Sequence, residues 1–318
     1  MKSTCRAVRG LPLRALLRTA AVVRAVAVMT GALAIAAATP PPAQAQQRPL
    51  RVFISVDMEG IGGIGTSAMT STSGKDYATG RRLMTDEVNA VVAAILRRGP
   101  AQIVVNDSHG DHQNLLHTEL DPAVTYVQGS MKPYGMVETL DSTFDAAMFI
   151  GYHARAGTPD GFIAHTGSGA VKGLWLNDLE AGEGEMNAAF AGEQGVPVIL
   201  VAGDAAFVKE FTQTVPAVTV TTKVAITPEA ASMKHPQVVR EELAAAVDRA
   251  LAGLATAKPL RVTPPVRVRM RFADTTRPQM VEAIPGVRRI DGWTITFTSP
   301  TMAEAYRMIR FLYRFVAT

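Results

Sequence analysis

Cysteine is almost absent from this sequence. The one thiol in 318 residues is Cys5, and no lipobox surrounds it. Nothing downstream of it can form a disulfide or a thiolate metal site, so any metal must be held by His, Asp and Glu. Acids are missing too, but only locally. The first 45 residues carry Lys2, Arg6, Arg9, Arg14, Arg18 and Arg24 and no carboxylate. The whole chain has a formal charge of +4, and without those six positive charges the remainder stands at −2. The basic balance therefore belongs to the N-terminal segment and gives no reason to expect a nucleic-acid partner. The apolar stretch from Ala25 to Ala38 is too short for a comfortable membrane span. There is no internal repeat, coiled coil or later low-complexity tract.

What is present at the N-terminus has an order. A basic region precedes the apolar stretch, a Pro-rich break follows it, and Ala43-Gln44-Ala45 supplies a small-x-small cleavage signature. Residues 1–45 are expected to be a signal peptide, cleaved after Ala45, with export to the periplasm or the exterior and no membrane association afterwards. Arg24 and the short apolar length argue against an uncleaved anchor. The 273 residues that follow (318 less 45) suffice for one large domain or two smaller ones.

That remainder alternates. Apolar runs at 52–57, 103–105, 146–150 and 196–201 read as buried strands, with helical patterns at 77–98 and 185–193 between them. The alternation predicts an α/β fold, a mainly parallel sheet with flanking helices, over residues 46–226. Beyond residue 227 the texture changes. A helix at 238–254, a Pro-broken linker at Thr263-Pro264-Pro265, strands at 266–272 and 293–297, a short helix at 278–283 and a terminal helix at 302–315 predict a smaller C-terminal α+β part over 227–318.

Polar residues fall where those strands end. Asp57 and Glu59 close the first run, and two residues apart on a strand they leave one face. Held so close, two carboxylates repel, and a divalent zinc, manganese or magnesium ion would neutralise them; solvated acids in a loop are the competing explanation. Asp107 and His109 end the second run and His153 the third. In open α/β sheets ligands bind beyond the carboxyl ends of the strands, so these residues converge on one edge. His165 lies in a Gly-containing loop that permits close substrate approach. His112 and His117 sit in a polar loop, as solvated or supporting residues, and His235 precedes Pro236 in a surface turn. Spacing does not choose among Glu180, Glu183 and Glu185, at least one of which complements a helix dipole. Gly60-Ile61-Gly62-Gly63-Ile64-Gly65 matches the dinucleotide pattern G-x-G-x-x-G. Yet Asp57 and Glu59 would repel a pyrophosphate there, and the following residues are poor helix openers. Cations that could serve a phosphate substrate are scarce, with Arg155 and Lys172 the candidates.

Ser55-Val56-Asp57-Met58-Glu59-Gly60 resembles the S-x-D-x-E-G signature of the zinc-dependent D-aminopeptidase family. Asn106-Asp107-Ser108-His109, Gly151-Tyr152-His153-Ala154-Arg155, and Asn177-Asp178 through Gly182-Glu183 and Asn187 resemble its later blocks, in the same order across residues 51–318. The resemblance implies two zinc ions per subunit. Asp57 would bridge them, Glu59 and His153 would complete one site, and His109 and Glu183 the other. It implies His165 as the catalytic histidine, removal of N-terminal D-residues such as D-alanine from short peptides or amides, and a ring-shaped homo-oligomer. A non-catalytic periplasmic metal- or peptide-binding protein and another dinuclear metallohydrolase are the alternatives.

Overall fold

Strand β1 (Leu50–Val56) runs through the middle of the main sheet, and its side chains alternate between two cores. Val52, Ile54 and Val56 enter one core and Phe53 the other, as the period of two demands. The computed structural model describes residues 48–316, so the expected signal peptide and its cleavage point lie outside the described residues.

The chain continues through α1 (Tyr77–Arg97), β2 (Ala101–Asp107), β3 (Val124–Val127), β4 (Ala146–Tyr152), β5 (Val171–Leu176), β6 (Leu179–Glu180), α2 (Glu183–Glu193), β7 (Val198–Asp204) and α3 (Ala205–Phe211). There follow β8 (Val218–Thr227), β9 (Ala230–Met233), α4 (Pro236–Ala252), β10 (Val266–Phe272), α5 (Thr276–Val281), β11 (Arg288–Arg289), β12 (Thr294–Ser299) and α6 (Met302–Phe311). The main sheet has the order β3-β2-β1-β4-β7-β8-β9 and is parallel except for β9. The second sheet, β11-β12-β10-β5-β6, is antiparallel. The α/β architecture and the mainly parallel sheet match the expectation from the sequence.

Helices α1 and α4 cover one face of the main sheet, burying Val88, Val91, Val92, Leu243 and Val247. The other face packs on α2, α3, α6 and the second sheet through Phe149, Phe207, Leu174 and Tyr306. Strands buried on both faces explain the continuous apolar runs. His235 caps α4 by accepting from the Gln237 N–H (3.2 Å), with Pro236 at the first helical position. Among the described residues no helix is long and apolar enough to cross a membrane.

The sheets do not divide at residue 227. β9 and α4, beyond it, belong to the main sheet and its cover, whereas β5 and β6, before it, pair with β10. Residues 48–318 cluster as one unit. The sequence loses its alternating texture at 227 because an antiparallel edge strand begins there.

Register places the site. Val56 lies level with Asp107 on β2 and Ile150 on β4. Pairing continues one step further, through Asp57 N–H to Ile150 O and Ser108 N–H to Val56 O, both 2.8 Å. From β1 the order runs to β2 on one side and β4 on the other, a topological switch point. Asp57, His109 and His153 leave the sheet at that crevice.

Candidate metal centre

Six carboxylates and imidazoles converge beyond the ends of β1, β2 and β4. Asp57, Glu59, His153 and Glu183 are each at most 5% exposed. Asp57 lies in the middle. Its Oδ1 is 3.1 Å from His109 Nδ1 and its Oδ2 is 3.4 Å from His153 Nε2. Glu59 Oε2 stands 3.0 Å from His109 Nδ1. Glu183, the first residue of α2, places Oε2 3.6 Å from His153 Nε2 and Oε1 3.7 Å from His165 Nε2. The His165 ring stacks on His153 with centroids 4.1 Å apart. All six residues singled out by the sequence thus form one cluster. The shortest contacts pair His109 with Glu59 and His153 with Glu183 around Asp57, while Asp57, Glu59 and His153, which the resemblance places in one site, also group together.

Each histidine is oriented by a backbone carbonyl. His109 Nε2–H donates to Thr70 O, His153 Nδ1–H to Ala154 O, and His165 Nδ1–H to Ile163 O, all at 2.9 Å. The other ring nitrogen of each is turned to the carboxylates, as in metal-ligating histidines. Without an ion that arrangement leaves frustration behind. Asp57 Oδ2, Glu59 Oε2 and His153 Nε2 are buried with no hydrogen-bond partner, a costly state. One ligand atom from each of Asp57, Glu59 and His153 lies within 4.8 Å of the others, and the same holds for His153, His165 and Glu183. The donor set of imidazole and carboxylate fits zinc.

The electrostatics agree. Burial alone would lower His109 and His153. Glu59 and Asp57 around the first, and Glu183 and Asp57 around the second, reverse this and raise both well above the ordinary imidazole value. Burial would likewise raise Glu59 and Glu183. His109 with the other histidines holds Glu59 well below the carboxylate range, and His153 with His165 and the Gly167 N–H brings Glu183 to about 2. Charge of both signs is locked into a dry site that an ion would reorganise.

A family model described as D-aminopeptidase matches residues 50–311. The chain belongs to the D-aminopeptidase family. A "D-aminopeptidase" of Bacillus subtilis is 36% identical over 262 residues, covering 81% of this chain and 94% of that protein. The solved structure of a Zn-dependent D-aminopeptidase from Bacillus subtilis, described as a self-compartmentalizing protease, superposes with a TM-score of 0.80 at 34% identity, over 82% of this chain and 96% of that one.

The structure separates the residues of the family blocks by task. Among the three acids that spacing left open, Glu183 joins the centre. Glu185 accepts from the Gly182 N–H (2.8 Å) and closes a capping box, and Glu180 pairs at the surface with Arg155 (3.2 Å). Asp107 is no ligand. Its carboxylate accepts from the N–H groups of Asn114 (2.6 Å) and Leu115 (2.8 Å) and from the Asn114 side chain (2.8 Å), which fixes the loop carrying His109. His112 is buried rather than solvated, with Nδ1 on Asp107 O at 2.8 Å, whereas His117 stacks on Tyr126. Ser55 and Asn187 meet through Tyr152, whose hydroxyl lies 2.6 Å from Ser55 Oγ and 2.8 Å from Asn187 Nδ2; Asn187 Oδ1 then accepts from Tyr306 at 2.6 Å. This polar chain ties β1, β4, α2 and α6 together beneath the centre.

The glycine loop after β1 serves packing rather than phosphate. A Cβ on Gly60 would lie 1.9 Å from Tyr152 O, so only glycine lets the loop lie on β4. Lys223 of β8, fully buried, donates to the carbonyls of Glu59 and Ile64 and holds the loop from the far side. No α-helix opens until Tyr77.

The sequence reading missed one wall. A cleft of about 100 Å³ is lined by Asp57, His109, His165 and Glu183 and also by Arg310, Tyr313 and Arg314. Arg155 and Lys172, the cations expected nearby, do not line it: Arg155 pairs with Glu210 (2.8 Å) and Glu180, and Lys172 is exposed on β5. The signal for Arg310, Tyr313 and Arg314 was their i, i+3, i+4 spacing, which puts them on one helix face.

Proposed function

We propose that this protein is an exported zinc aminopeptidase that uses two metal ions to remove N-terminal D-amino acids, such as D-alanine, from short peptides or amides. The observation that carries the reading is the position of Asp57, one oxygen beside His109 and the other beside His153. A carboxylate facing two opposed ligand sets suits a bridge between two ions. Glu59 and His153 would complete one site, as their grouping with Asp57 supports, and His109 and Glu183 the other. The ions would supply Lewis-acid polarisation of the scissile carbonyl and activation of the attacking water.

The chain's own residues do the rest. The buried carboxylates leave little room for bulk water. Asp57, Glu59 and Glu183 concentrate negative charge where a substrate ammonium would enter. His165, with a 27% exposed side chain against 1% for His153, faces the cleft. Its Nε2 can carry a proton to the leaving amine while Nδ1–H stays on Ile163 O. The family relationship supports the peptide substrate over a binding role without turnover.

Residues 46–318 with zinc are expected to hydrolyse D-alanine amide and to lose that activity to a chelator. Equal turnover of L-alanine amide would discard the stereochemical part, and no turnover of either would discard the enzyme. The same preparation should elute as a homo-oligomer, which the self-compartmentalizing relative supports; we read it as a ring. Export rests on the composition of residues 1–45. Sequencing the protein from a fractionated native host should find Gln46 first, outside the cytoplasm. Full-length cytoplasmic protein starting at Met1 would overturn export.

A further inference from the structure

Three basic side chains, Lys132, Arg310 and Arg314, gather beside the cleft, and the two arginines line it. Arg310, on α6, is 6% exposed and Lys132 is 8% exposed. Arg310 Nε donates to Lys132 O (2.7 Å) and Nη1 to the Tyr313 hydroxyl (3.2 Å). Lys132 donates to Asn106 Oδ1 (2.7 Å) and Asp107 O (2.6 Å). Half-buried Arg314 reaches Gly110 O (3.5 Å) and Ser130 Oγ (3.3 Å). Every one of these acceptors is neutral, and among the described residues neither arginine forms an ion pair. The Asp107 carboxylate is engaged by Asn114 and Leu115, and Glu138 by the Tyr134 N–H (2.7 Å). Arginines this buried are ordinarily paired. Burial, with a smaller push from Arg310, outweighs Asp107 and Glu138 and lowers Lys132 to about 8.

These guanidinium groups stand next to the candidate metal ligands. Tyr313, bonded to Arg310, covers Gly167 so closely that a Cβ there would lie 2.5 Å from its ring. Gly167 N–H in turn donates to Glu183 Oε1 (2.6 Å). Arg314 touches the carbonyl of Gly110, the residue after His109. The cleft between them is lined by Asp57, His165 and Glu183 as well as by the two arginines.

We propose that Arg310 and Arg314 form a carboxylate-binding subsite on the leaving-group side of the cleft, favouring short peptides with a free C-terminus over capped ones. The inference rests on the aminopeptidase reading above and adds the substrate class. A guanidinium meets a carboxylate through paired, charge-assisted hydrogen bonds that a neutral amide does not match.

The test compares D-alanyl-D-alanine with its C-terminal amide. In the unmodified enzyme kcat/KM for the free acid should exceed that for the amide by about tenfold or more, as expected for charged hydrogen bonds. In Arg314→Gln and in Arg310→Lys the ratio should fall toward one, chiefly through KM for the free acid. A purely structural role would lower both substrates together and leave the ratio unchanged. That outcome, or a ratio near one in the unmodified enzyme, overturns the subsite while leaving the aminopeptidase intact. Failure to cleave either peptide overturns the activity and the subsite with it. Should Arg310→Lys not fold, Arg314→Gln decides alone.

Discussion

Under the two-zinc reading proposed above, His165→Ala is expected to keep its full zinc content and to lose turnover of D-alanine amide by on the order of 10²- to 10⁴-fold in kcat, the usual worth of a positioned acid–base group. Two features separate His165 from the ligands. Its side chain is 27% exposed, whereas that of His153 is 1% exposed and that of Glu183 6%. Its position on the cleft lets it meet substrate directly. Yet its Nε2 is also close enough to Glu183 and His153 to join an ion, so geometry permits a ligand role. Metal analysis of the variant decides between them. Two zinc ions per chain with depressed kcat, and loss of one limb of the kcat–pH profile, mark a proton carrier. Loss of one zinc together with activity makes His165 a ligand, and the proton must then travel by another group. Unchanged kcat would remove His165 from the chemistry.

The legibility of this site followed from strand ends. Val52 to Val56 is apolar because both faces of β1 are buried, and where such a run stops at Asp57 the chain must emerge at the sheet's edge. The same logic found His109 and His153. It could not separate Glu180, Glu183 and Glu185, because their tasks depend on where α2 begins and on the distant partners Arg155 and Gly182. Asp107 looked like a ligand and is a loop anchor, since strand-end position does not reveal whether a carboxylate is already bonded by Asn114 and Leu115. The second sheet was hidden for a related reason. β5 has burial of mixed pattern and pairs with β10, some ninety residues later, and no local periodicity announces so distant a partner. Arg310 and Arg314 were hidden by sequence distance as well, lying about 200 residues beyond His109.

Zinc should stabilise the protein more at pH 8 than at pH 5.5. In the zinc-free centre His109 and His153 have folded pKa values above the ordinary 6.5. Their contribution to stability is complete below pH 6.5 and is lost as pH rises through the raised values. Glu59 and Glu183 sit below the ordinary 4.5, so theirs is complete above 4.5 and is lost as pH falls, for Glu183 through about 2. The empty centre is therefore most favourable between those two ordinary values and weakens toward pH 8. Zinc binding has the opposite trend, because it needs both imidazoles deprotonated and must displace their protons. At free zinc about 1,000 times Kd one site adds about 4 kcal/mol, and each kcal/mol moves Tm by roughly 2–4 °C in a domain of this size. The gap in Tm between zinc-loaded and chelator-stripped protein is thus expected to reach roughly 10 °C at pH 8 and to shrink steadily toward pH 5.5. Thermal unfolding followed by circular dichroism across that range measures it. A gap that stays flat, or grows as pH falls, would mean that zinc binds without displacing protons from His109 and His153, and the centre would have to be sought elsewhere.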